Sequence, residues 1–89
     1  MNTSTIPENM QHLFKNADYL LSQDDFNQLN EKDTRAKHLE QHNGAIYPGL
    51  LRSAVFWFVK AYNEQVPINK KVFQDTMNRL AQIKKSCYH

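Results

Sequence analysis

Cysteine is almost absent: Cys87 stands alone, so no disulfide can form within the chain, and a reducing compartment is expected. Glycine is nearly as scarce. Both glycines, Gly44 and Gly49, fall in the six-residue stretch GAIYPG, which makes it the one obvious hinge of the sequence. No segment alternates apolar and polar residues as a half-buried strand does, and the one Asn-Gly pair, Asn43-Gly44, follows a helical pattern instead of joining two apolar runs. A membrane span needs about 20 consecutive apolar residues, and no run approaches that length. No apolar stretch follows a basic start and neither end carries a lipidation signal, so the expected location is the cytoplasm.

The signatures of catalysis are missing as well. There is no Gly-rich phosphate loop, no G-x-S-x-G elbow and no paired carboxylates on a rigid element, so neither an enzyme nor a bound cofactor is expected. His38 and His42 stand one helical turn apart in HLEQH, a spacing that suits one metal ion. The zinc-protease pattern, however, needs Glu directly after the first His, and Leu39 occupies that position. Cys87 and His89 lie in the tail, with no reason in the sequence to approach His38. The pair reads as surface histidines near a helix end, and no metal is expected.

What is present describes a small globular domain. Apolar residues make up 40% and charged residues 22% of the chain, values of a folded protein and not of a disordered one. The 89 residues form a single helical domain, with 1–5 expected as a flexible N-terminal arm and 86–89 as a flexible tail. Charge is divided unevenly. Residues 1–44 carry four cations against seven carboxylates, a net of −3, whereas 45–89 carry seven cations against Glu64 and Asp75, a net of +5. Such asymmetry suits a polyanionic partner, and equally suits two halves that attract each other.

The organising stretch is LLRSAVFWFVKAY, from Leu50 to Tyr62. At about 100° per residue its apolar side chains sweep an arc of roughly 200°, wider than the stripe of a surface helix. Leu50, Leu51, Ala54, Val55, Trp57, Phe58, Ala61 and Tyr62 form the arc and Val59 extends it. The spacing therefore predicts a core helix over 50–64, touched by neighbours on two sides. Phe56 breaks the pattern, falling on the polar side with Arg52 one turn before it and Lys60 one turn after. Two readings are open: cover by another helix or the N-terminal arm, or exposure as a partner surface or dimer contact framed by two cations.

Three more helices are expected around it, giving an all-α, compact bundle of about four helices. Thr5, Pro7 and Glu8 read as a helix start, and Met10, Leu13, Phe14, Ala17, Leu20 and Leu21 then recur at helical spacing to about Ser22. On this helix His12 and Tyr19 fall on the solvent side. Ser22–Asp25 carries the next cap, and a helix over about 24–42 comes next, with Asp33 interrupting its apolar side. A break near Asp33-Thr34 is the alternative to one continuous helix. Asn69 caps the last helix, which runs to about Lys85 on the apolar side Val72, Phe73, Thr76, Met77, Leu80 and Ile83.

The solvent side of that last helix collects Lys71, Gln74, Asn78, Gln82 and Lys85, with Lys70 and Arg79 at its flanks. Cations contact phosphates, and amides and Arg read base edges. With the preceding helix this makes a helix-turn-helix outline aimed at double-stranded DNA, although the customary turn glycine is missing and a solvated face explains the same residues. Of the two functional readings, the preferred one is a small non-enzymatic regulator or inhibitor that binds another protein, those of nucleic-acid machinery included, through Arg52, Phe56 and Lys60. Tyr19, Tyr47 and Tyr88 add residues of the type enriched at interfaces. The DNA-binding regulator is the alternative. Either is compatible with a monomer or with a two-fold homodimer that hides surplus apolar surface.

Overall fold

Covering one wide apolar helix dictates the arrangement. The computed structural model describes residues 6–43 and 49–86, and side-chain surroundings for 6–41 and 49–82. Among these residues a short 3₁₀ helix, Glu8–Leu13, is followed by three α-helices: α1 spans Gln23–Asn43, α2 spans Gly49–Glu64 and α3 spans Lys70–Ser86. No strand occurs among the described residues, so the class is all-α, and the central helix begins one residue earlier than its periodicity predicts. None of these helices is long and apolar enough to cross a membrane. The GAIYPG hinge lies largely outside the described residues, as do the first five residues and the Cys87–His89 tail.

α2 turns Leu51, Ala54, Val55, Phe58 and Ala61 inward. Phe58 is wholly buried and meets Phe73 of α3 edge-on, with ring centroids 5.2 Å apart at 83°. α1 runs antiparallel to α2. Near its start Phe26 stacks on Tyr62 at 4.2 Å, and near its end Glu40 pairs with Arg52 at 2.9 Å. Leu29 and Ala36 of α1, Phe73 and Leu80 of α3 and Ile68 of the connection share this core with Ile6, Met10, Leu13 and Leu21 from the chain before α1. Thr76 is buried among them and donates its hydroxyl to the Val72 carbonyl at 2.9 Å, so its polar group is satisfied within its own helix.

Local chemistry fixes the helix ends. At the start of α1 the Asp25 N–H donates to Ser22 Oγ at 3.1 Å and the Ser22 N–H donates to Asp25 Oδ2 at 3.3 Å, a reciprocal capping box. α1 then continues unbroken through Asp33, whose carboxylate is held by Lys37 at 3.2 Å and faces Arg52 of α2 at 3.9 Å. α2 ends in a Schellman turn: the Val66 N–H reaches back to the Ala61 carbonyl at 2.9 Å and the Gln65 N–H to that of Tyr62 at 3.3 Å. Gln65 occupies the left-handed position with φ 57°, where glycine is usual.

The predicted first helix is not formed. Met10 and Leu13 are buried as the helical spacing requires, but they sit on the 3₁₀ helix, which ends at Leu13. The chain reverses at Asn16, which takes φ 58°, and runs extended to α1. Asn and Asp side chains compete with helical bonds, and here the competition is decided by tertiary partners. Tyr19 exchanges backbone bonds with Ile68, donating at 3.1 Å and accepting at 2.8 Å. The Leu13 carbonyl accepts from the Asn69 N–H at 2.7 Å, and the Lys15 carbonyl accepts from Asn69 Nδ2 at 2.8 Å. Tyr19 is accordingly half-buried, not solvated: its hydroxyl donates to Asp25 and its ring lies 6.2 Å from that of Phe73.

Asn69 is the junction of this arrangement, since its Oδ1 also caps α3 by accepting from the Val72 N–H at 3.1 Å. Asn69→Ala removes the cap and the tie to Lys15 together, and is expected to lower stability by about 1–3 kcal/mol in urea unfolding. Gln65→Gly relieves the left-handed backbone and is expected to raise stability by about 0.5–1 kcal/mol, net of the freedom glycine adds to the unfolded chain.

Candidate protein-binding face

Helix geometry allots α2 two opposite faces. With Phe58 directed inward, Phe56 lies about 200° behind it along the helix and must point away from the core. It does so. Phe56 is 62% exposed, so no described helix covers it, and the N-terminal arm of the covered reading lies outside the described residues. Leu50, counted in the apolar arc, is also open to solvent, and Trp57 is half-buried. Among the described residues, none comes close enough to the first turn of α2 to bury Leu50, which is the physical reason for that departure. Phe56 meets Trp57 edge-on at 5.5 Å and 89°, so the two rings form one ledge.

The predicted cations flank this ledge, each tied to the fold. The Arg52 guanidinium bonds Glu40 at 2.9 Å and faces Asp33 at 3.9 Å. Lys60 pairs with Glu64 of its own helix at 3.3 Å and lies 5.7 Å from the centre of the Trp57 ring. Between α1 and α2 a groove of about 550 Å³ opens beside Phe56, of the size of known binding clefts. Asn30, Asp33 and Lys37 supply one wall; Arg52, Val55, Phe56 and Val59 lie along the other. Ser53 and Trp57 complete the lining.

Of these lining residues, Arg52 and Phe56 alone were singled out by sequence pattern as site residues, and Asn30, Asp33, Lys37, Ser53, Val55, Trp57 and Val59 were not. Asp33 did carry a signal: a carboxylate on the apolar side of a helix needs cations beside it, and Lys37 of its own helix and Arg52 of α2 supply them. Trp57 gave none, because the wheel assigns it to the buried arc.

The residues of the alternative reading are spread along α3. Lys70, Lys71, Gln74, Asn78, Arg79 and Gln82 are all exposed, while the side chain of Lys85 lies outside the described residues. Arg79 pairs with Asp75 at 3.5 Å, and Lys70 stands 5.1 Å from the centre of the Tyr19 ring. In a helix-turn-helix the first turn of the second helix meets the base edges. At the start of α3 the Lys70 N–H donates to Asp18 at 3.3 Å, and the segment from Leu13 to Tyr19 wraps that end. His38 is exposed; the side chains of His42, Cys87 and His89 lie outside the described residues, among which no three metal-ligating groups stand together.

Comparison with protein-family models, with curated proteins and with solved structures yields no match. Function must therefore be argued from the side chains of this chain alone.

Because most of the Phe56 ring is open to solvent, Phe56→Ser is expected to change stability by less than about 0.5 kcal/mol, read from the urea midpoint. A loss of several kcal/mol would mean that the ring is a core residue.

Proposed function

We propose that this chain is a small non-enzymatic regulator or inhibitor that acts by binding another protein, with the outer face of α2 as its contact surface. The observation that carries the reading is Phe56, a large aromatic left 62% exposed at the lip of a groove. Burying such a side chain contributes about 1.5–3 kcal/mol, and the chain's own fold leaves most of that gain unrealised. A partner that covers the ring collects it on association. Trp57 and Arg52 belong to the residue types that dominate interface energetics. Arg52 is already ordered by Glu40 and Asp33, so binding loses little side-chain freedom there.

The second reading, a DNA-binding regulator, draws on a different observation: the exposed row Lys70, Lys71, Gln74, Asn78, Arg79 and Gln82 of α3. The Asp18 carboxylate at the start of that helix opposes phosphate approach to its first turn, which weighs for the first reading.

A photoreactive benzophenone side chain installed at Phe56, and separately at Gln74, tests the choice in the cells that make the protein. The expected result is a discrete protein adduct from position 56 and none from position 74. Nucleic-acid adducts from position 74, together with binding to a random-sequence duplex that weakens steeply between about 50 and about 200 mM salt, would replace protein binding by DNA binding.

A further inference from the structure

Resting on that reading, we infer that the occupant of the α1–α2 groove is an acidic amphipathic helix of the partner protein, seated with a bulky apolar side chain against Phe56 and Val59. The shape of the groove suits a helix. Two antiparallel helices bound it, and a helix laid between two others packs its ridge into the furrow they leave. The groove's volume of about 550 Å³ accommodates more than one inserted side chain.

Charge decides the chemistry of the occupant. The lining of the groove carries two cations, Lys37 and Arg52, against one carboxylate, Asp33, and both cations are more exposed than it. Lys37 has 53% and Arg52 34% of its side chain exposed, against 13% for the Asp33 that both face. The Asp33 carboxylate lies deeper and fixes both cations in position, so an approaching surface meets ammonium and guanidinium groups beside an aromatic ledge. Carboxylates on the polar flank of an incoming helix find Lys37 and Arg52 at one end of the groove and Lys60 further along α2. The Lys60 ammonium near the Trp57 ring adds to the positive field over the apolar ledge.

The same charges disfavour a second copy of this chain in that place. Arg52 and Lys60 are each four residues from Phe56, on opposite sides. A two-fold pairing of α2 with itself about Phe56 would bring Arg52 of one copy towards Lys60 of the other, and like charges set opposite each other are repelled. A basic helix meets the same repulsion.

Trp57 is the only tryptophan, so its emission reports on this face directly. The test titrates the full chain with two synthetic helical peptides of identical Leu/Ala apolar face, one carrying Glu and the other Lys on the polar face. Saturable change in Trp57 emission is expected with the Glu peptide, at about tenfold or greater preference over the Lys peptide, a preference that shrinks as salt is raised. Phe56→Ser is expected to weaken the Glu peptide about tenfold, and Lys37→Glu, on the exposed side of α1, to reduce or reverse the preference. Circular dichroism of both variants checks that they remain folded.

Equal affinity for the two peptides, preference for the Lys peptide, or no response to either overturns the acidic occupant. So does sedimentation showing a dimer that Phe56→Ser dissociates. In the first three cases a protein adduct at position 56 would still stand, which separates failure of this inference from failure of protein binding itself.

Discussion

Burial of Phe58 is the constraint on which the rest of the molecule depends. It lies at the middle of the most apolar helix, is fully enclosed and sets its ring edge-on against Phe73. Turning that position inward fixes the rotation of α2 about its own axis. Leu51, Ala54, Val55 and Ala61 turn with it into the core, and Phe56, on the opposite side of the same turn, is forced out. One geometric fact thus produces both the core and the exposed aromatic. Stability and recognition are divided between two faces of one helix.

The remaining elements serve to cover the inward face. α1 crosses it antiparallel, held at one end by the Phe26–Tyr62 stack and at the other by the Glu40–Arg52 pair. α3 supplies Phe73, Thr76 and Leu80. The extended segment before α1 is stitched by Tyr19 and Asn69 to the α2–α3 connection, closing the side that a fourth regular helix was expected to close. Arg52 links the two roles, since the pairs that bind α1 to α2 also orient a cation beside Phe56.

Much of this was legible in the chain and the exceptions have identifiable causes. The extents of α2 and α3 come from periodicity, and the starts of α1 and α3 from the Ser22–Asp25 and Asn69 caps, which act within a single turn; the continuity of α1 through Asp33 rests on Lys37 and Arg52 beside that carboxylate. The helix expected up to Ser22 failed because Leu13, Lys15 and Tyr19 find backbone partners far along the chain, at Ile68 and Asn69, which no local pattern announces. Phe56 was legible as an off-face aromatic, but its exposure depended on whether some other segment would cover it. That is a property of packing. Lys37 and Asn30 join Phe56 only through the antiparallel pairing of α1 with α2, so the groove as a whole could not be read from either helix alone.

If the outward face of α2 is where a partner protein binds, and the inward face is committed to the fold, then binding must protect one side of the molecule and leave the other alone. Amide hydrogen exchange, with and without the partner recovered through the position-56 adduct, tests this most directly. Added protection is expected over 49–60 and over the facing part of α1, around 30–37, with α3 unchanged. Protection confined to the exposed face of α3, around 70–82, would contradict it and would move the contact to the basic helix.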